Sequence, residues 1–176
     1  MTKRIIIAGF GGQGVMLLGK VIAQAAMEED RFVTWLPSYG AEVRGGTAHC
    51  MVVLSDHPIG SAYIEKADIS IILNGPSLLR FKDRIQPKGF LVLNSSLVPP
   101  YRDAKRRIAA HPFTDIALQL GNTKVANMVA LGCVLGIQGV VCPETVTRVI
   151  AQIAPESKRD LIEINRKALK KGMELR

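Results

Sequence analysis

Aromatic residues are scarce in this chain, 5% of 176 residues with a single tryptophan, which leaves little material for a base-stacking nucleic-acid surface. Histidine is scarcer still. His49, His57 and His111 fall in different expected elements, and none has an acid or thiol at a catalytic or metal-ligating spacing. The three cysteines, Cys50, Cys133 and Cys142, are widely separated and form no CxxC pair. That speaks against a zinc or iron–sulfur site in this chain and for a reduced, cytoplasmic protein. No GxSxG elbow surrounds Ser95 or Ser96, so a hydrolase is disfavoured. The apolar run near the N-terminus is too short for a signal peptide. The stretch "VANMVALGCVLGIQGVVC" contains Asn127, Gln138 and several glycines, and reads as a core helix rather than a membrane span. Repeats, low-complexity tracts and linkers are also missing, so residues 1–176 are expected to form one domain. No catalytic residue and no metal ligand is assigned.

Basic charge is in surplus. Lys plus Arg number 23 against 15 Asp plus Glu, a formal net charge of +8, which favours an acidic partner, substrate or nucleotide. The cations are dispersed along the chain without a recognition motif, so nucleic acid is not expected. Hydrophobic residues at 48% and charged residues at 22% are ordinary for a globular protein.

The order of elements points to an α/β fold. "KRIIIAGF" reads as a strand buried on both faces, and Val15, Leu18, Ile22 and Ala25 then recur at helical spacing. "RFVTWLP" follows as a second strand stopped by Pro37, giving one βαβ unit. "TAHCMVVLS", "DISIILN", "GFLVLNSS" and a short edge strand "RRIAAHP" come next, with turn residues and a short hairpin arm expected in "SDHPIGSAYIEKAD". The last third is helical: a long helix capped by Asn122 or Thr123, a second starting at "PETVTRV", and a third at "KRDLIEINRKALKKG". Gly132, Gly136 and Gly139 place small residues along one side of the long helix, as a close helix or sheet contact requires.

Two stretches carry chemistry. In "GFGGQGVMLLGK", Gly9, Gly11 and Gly14 satisfy the dinucleotide-binding spacing, and such a turn aims backbone N–H groups at the positive end of a helix. The ribose-binding acid expected at the end of the second strand is absent, since that place reads "TWLPS". NAD or FAD is therefore disfavoured. Anion binding by Gly11, Gly12, Gln13 and Gly14, and glycines serving only turn and packing, both stand. The second stretch, "PSYGAEVRGGTAHC", follows a strand and so lies near the carboxyl edge of the sheet. Arg44 is a fixed planar charge suited to a carboxylate or phosphate, while Tyr39, Glu42, Arg44, Gly45 and Gly46 equally suit a loop that docks on another subunit. Lys124 and Asn127, in the first turn of the long helix, are placed where an anion or a plain cap could engage them.

Taken together, "GFGGQGV", "PSYGAEVRGGTAHC", "ADISIILN", "NSS" and "NTKVANMVALGCVLG" resemble, in order and over essentially the whole chain, the gamma subunit of the 2-oxoacid:ferredoxin oxidoreductases. "PSYGAEVRGGTAHC" and "ILNGPSLLRF" look most like the 2-oxoglutarate branch, with pyruvate and branched-chain enzymes as neighbours. The resemblance implies a central, mostly parallel sheet with helices on one face and additional strands on the other. It implies an anaerobic-type complex that converts a 2-oxoacid and coenzyme A into acyl-CoA and CO2 while reducing ferredoxin. Thiamine diphosphate, Mg2+ and iron–sulfur clusters are expected on alpha, beta and ferredoxin-like delta partners, leaving the isolated chain inactive and able to homodimerise. On that footing Gly11, Gly12, Gln13, Gly14 and Arg44 become candidate contacts for the phosphates of coenzyme A, and the Tyr39 to Gly46 loop a candidate interface. A free-standing coenzyme A or nucleotide-binding module is the reading from another class; it would lack an apolar docking patch around Tyr39.

Overall fold

Three consecutive isoleucines, Ile5 to Ile7, are fully buried in the first strand, β1 (Thr2–Phe10), because β1 lies inside a sheet covered on both faces. The computed structural model describes residues 1–39, 47–156 and 159–175. After β1 come α1 (Val15–Glu28), β2 (Phe32–Tyr39), β3 (Thr47–Ser55), β4 (Ala67–Ile72), α2 (Gly75–Phe81) and β5 (Ile85–Asn94). Then follow β6 (Arg107–His111), α3 (Phe113–Gln119), α4 (Ala126–Gln138), α5 (Pro143–Ile153) and α6 (Asp160–Met173).

The strands form one six-stranded sheet in the order β2-β3-β1-β4-β5-β6. β1, β4, β5 and β6 pair in parallel, whereas β3 runs antiparallel to both of its neighbours, β1 and β2. The sheet is therefore mixed. β1 and β2 still point the same way across α1, as the expected βαβ unit requires, but β3 is inserted between them. Pro37 does not stop β2. It pairs with Cys50, and the strand runs on to Tyr39, which an edge strand allows because its outer side needs no N–H donor.

Alternation along β1 divides the core. Ile5 and Ile7 face the larger layer, where Leu18 and Ile22 of α1, Leu131 of α4, Val146 of α5 and Leu169 of α6 pack. Ile6 and Ala8 face a smaller layer with Met51, Ile64, Phe81, Leu91 and Val98. Among the described residues this second face is covered by α2 and by irregular segments around Ile64 and Val98, not by further strands. The local reason is chemical. Asn74 accepts a hydrogen bond from the Ser77 N–H at 2.9 Å and Pro76 follows at the helix start, so a helix begins as soon as β4 ends. No hairpin forms in the segment carrying Pro58 and Gly60.

Helix α4 is buried at every residue from Asn127 to Leu135. It meets α6 backbone to backbone: a Cβ at Gly132 would overlap the Leu169 carbonyl oxygen, and one at Gly172 would overlap that of Val129. Gly136 approaches Met173 in the same seam, whereas Gly139 instead ends α4 in the left-handed conformation. Among the described residues no helix is long and apolar enough to cross a membrane.

Candidate functional site

The glycine turn between β1 and α1 is built around two positive backbone angles, φ 95° at Gly12 and φ 75° at Gly14, which side-chain-bearing residues adopt at a cost. Gly14 is the N-cap of α1; it offers no side chain to the free N–H groups of the first turn, and no acid sits there. The positive end of the α1 dipole is thus left open to an anion. Gly11 and Gly12 are exposed, and a Cβ at either would touch nothing within 4 Å. A ligand or another chain can approach the turn from that side.

The inner side of the turn is fully occupied. Gln13 receives the Phe10 N–H on its Oε1 at 2.6 Å, and its Nε2 donates to the Leu73 carbonyl at 3.3 Å. Asn74 also donates to the Gln13 Oε1, at 3.3 Å. The Leu73 carbonyl accepts a second bond, 3.2 Å from the Nδ2 of Asn94, whose amide exchanges bonds with Thr114 at the start of α3. Amide side chains thereby tie the ends of β1, β4 and β5 to α3. From the other direction Asn127 of α4, only 3% exposed, donates to the Gly14 carbonyl at 3.3 Å. Both polar ends of the Gln13 side chain are therefore committed within the fold.

Two hollows open beside the turn. One, about 190 Å3, lies at the carboxyl ends of β1, β4 and β5 between Gly12, Gln13, Asn94, Thr114 and Lys124. The other, about 290 Å3, is more apolar and runs between α1, α4, α5 and α6, past Leu17, Met128, Ile153 and Asn165. Gly12 and Lys124 line both hollows, so Lys124 sets a positive charge at their junction. Lys124 belongs to a 3-10 turn capped by Asn122, whose side chain accepts from the Lys124 N–H at 3.0 Å. This location, outside the carboxyl ends of parallel strands where connections diverge, is where α/β folds gather ligands.

The structure brings Gly11, Gly12, Gln13, Gly14, Lys124 and Asn127 together. Glu42, Arg44, Gly45 and Gly46 lie outside the described residues, and Tyr39 is described only as the last residue of β2. Thr47, the first residue of β3, pairs with Phe10, next to the glycine turn. His49 packs against Phe81, ring centroids 4.9 Å apart; burial, then the nearby charges of Arg80 and Arg84, lower its pKa. His111 is far from it, on β6. Ser96 caps α3 by accepting the Asp115 N–H at 3.2 Å. Burial pushes the Cys50 thiol up to about 12 and the Cys133 thiol up to about 11, as for inert packing residues. The amides of Asn74 and Asn94 escaped the sequence reading. Their signal was a shared ending: "SIILN" and "LVLN" each close a buried apolar run on asparagine, Asn94 as the last residue of β5 and Asn74 two residues past β4.

A family profile described as "Pyruvate ferredoxin/flavodoxin oxidoreductase" matches residues 4–175. Ketoisovalerate oxidoreductase subunit VorA of Methanothermobacter thermautotrophicus is 36% identical over 171 residues, covering 97% of this chain. The chain spans only 36% of that relative's length. 2-Oxoglutarate synthase subunit KorC of Methanocaldococcus jannaschii is 32% identical over 179 residues, covering 99% of this chain and 94% of the relative. Among solved structures, the gamma subunit of a keto/oxoacid ferredoxin oxidoreductase from Geobacter sulfurreducens superposes with a TM-score of 0.87 at 29% identity. That match covers 99% of this chain and 96% of the other.

Proposed function

The chain belongs to the pyruvate ferredoxin/flavodoxin oxidoreductase family, and from that premise we propose that it is the gamma subunit of a 2-oxoacid:ferredoxin oxidoreductase acting on 2-oxoglutarate. The assembled enzyme converts 2-oxoglutarate, coenzyme A and oxidised ferredoxin into succinyl-CoA, CO2 and reduced ferredoxin. One observation carries the reading: KorC of Methanocaldococcus jannaschii matches along both lengths, 99% of this chain and 94% of its own. Residues 1–176 act as one gamma domain. The stronger identity to VorA, 36% against 32%, favours a second reading, a branched-chain 2-oxoacid enzyme.

Thiamine diphosphate, Mg2+ and the clusters belong to the alpha, beta and ferredoxin-like delta partners. The metal part of that division is supported by two observations: among the described residues no group of three or more His, Cys, Asp or Glu converges, and Cys50 and Cys133 are buried. What this chain contributes is a place for coenzyme A. The open N–H groups of the Gly11 to Gly14 turn, the Lys124 ammonium and Arg44 hold its phosphates, while Gln13 and Asn127 keep the turn in shape. The segment from Tyr39 to Gly46 docks on a partner subunit. The protein works in the cytoplasm.

The test is to recover the tagged chain from its native cells and assay the eluate for coenzyme-A-dependent viologen reduction by each 2-oxoacid. Larger subunits with activity on 2-oxoglutarate are expected; activity on a branched-chain 2-oxoacid instead moves the assignment to the second reading, and a lone inactive chain overturns both. Replacing Arg44 by Ala is expected to raise the Michaelis constant for coenzyme A, and an unchanged value removes Arg44 from the phosphate site.

A further inference from the structure

The sheet has two open edges, and they differ. On β2 the edge is blunted by Pro37, which has no donor to offer an incoming strand. β6 carries no such block; its sequence is "RIAAH", and among the described residues it pairs with β5 alone. The direction of its backbone groups follows from two hydrogen bonds. Lys88 N donates to the Lys105 carbonyl at 2.8 Å and Ser95 N to the His111 carbonyl at 2.9 Å, so the odd-numbered residues turn toward β5. In a parallel pair the N–H and C=O of one residue point the same way and alternate along the strand. Ile108 and Ala110 therefore present their N–H and C=O outward, with no strand beside them among the described residues.

A groove of about 730 Å3 runs along this edge, lined by β6 from end to end and walled by Gly136 and Ile137 of α4. Its amino end is cationic. Arg107 stands over the Phe90 ring and adjoins a hollow of about 210 Å3 that Lys3 and Lys88 also line. The acid there, Asp68, accepts the Arg4 N–H at 2.8 Å and lies 3.8 Å from the Arg4 guanidinium. The lining residues of the groove itself include no acid.

We propose that β6 is a strand-addition site for an extended, carboxylate-bearing segment of a partner subunit. That segment pairs its backbone with Ile108 and Ala110, and its carboxylate meets Arg107. A second copy of this chain fits less well. Paired antiparallel about Ala109, two β6 strands set each Arg107 against the other's His111 and supply no carboxylate. The proposal rests on the gamma-subunit reading and adds the surface through which the subunit is held.

The experiment compares amide hydrogen exchange in Arg107–His111 between the full-length chain alone and the complex purified after co-expression with its alpha and beta subunits. The amides of Ile108 and Ala110 are expected to exchange quickly in the free chain and at least ~10-fold more slowly in the complex. Ala110→Pro removes an outward N–H and no bond of the sheet, so the isolated chain is expected to keep its melting temperature while recovery of the complex falls ~10-fold. Arg107→Glu is expected to weaken assembly most at low salt. Unchanged exchange in the wild-type complex overturns the proposal whether or not the proline variant folds. So does an Ala110→Pro chain that assembles like wild type. A homodimer of the free chain that Ala110→Pro abolishes gives the edge to a second copy and overturns it as well. Failure of the wild-type chain to assemble at all refutes the gamma-subunit reading, and the proposal falls with it.

Discussion

The glycines of the β1–α1 turn and those of the α4–α6 seam meet different surroundings. At the seam, Gly132 and Gly172 face backbone carbonyls of the opposite helix so closely that a single added carbon has nowhere to go. At the turn, Gly11 and Gly12 face open space, while Gly14 is hemmed in by the amide of Asn127, and Gly9, near the end of β1, by the Gln13 side chain. Spacing alone does not separate the two uses. The seam glycines serve packing within the chain; the outer turn glycines keep a surface clear for something outside it.

Substitution to alanine tests that contrast, and the effects should descend in a fixed order. Gly172→Ala and Gly132→Ala are expected to cost about 3 kcal/mol each, lowering the melting temperature by about 10 °C, because the obstacle is backbone and two helices must separate. Thermal unfolding followed by circular dichroism measures this; a drop under about 2 °C would falsify the seam. The same variants should expose Cys133, which lies in the seam beside Gly172. In the wild type its thiol, raised to about 11, should resist alkylation at pH 8 while exposed Cys142 reacts. Mass spectrometry after iodoacetamide treatment gives the count.

Gly14→Ala comes next, at about 2 kcal/mol, part from its φ of 75° and part from Asn127. Adding Asn127→Ala relieves the steric part but also gives up the bond to the Gly14 carbonyl, so the double variant should lose less than the sum of the two single variants. A double variant as unstable as the sum of the two would show that Asn127 does not press on the turn. Gly12→Ala should cost about 1 kcal/mol through its φ of 95°, with a higher Michaelis constant for coenzyme A in the assembled enzyme. Gly11→Ala is expected within about 0.5 kcal/mol of wild type, since nothing in the chain opposes it. A large loss there would mean that the open side of the turn is not open.

The long apolar segments were legible in the sequence because an unbroken run such as "RIIIA" or "FLVLN" suits a strand with both faces out of water. Helices α2 and α3 were not, since each has only seven residues and too few turns to display a period. Their starts were marked all the same: Asn74 with Pro76 at one, Pro112 with Thr114 and Asp115 at the other. The reading of Pro37 as a strand end failed because it depends on whether β2 is an edge strand, a property of the whole sheet. Similarly, the glycine turn was visible as a phosphate-suited motif, but its union with Asn127 joins residues 113 positions apart. Local pattern specifies the parts of such a site; only the packed sheet states which parts meet.

The insertion of β3 between β1 and β2 also sets a timetable for the growing chain. β2 pairs only with β3, and β1 cannot pair with β2 at all, so the first two strands emerge from the ribosome without a sheet to join. The antiparallel half closes when Thr47–Ser55 has been made, and the parallel half must wait for β4. Until then Ile5, Ile7, Leu18 and Ile22 have only one another to cover them. A nascent chain paused before β3 therefore leaves an apolar strand and an apolar helix face with no sheet to bury them.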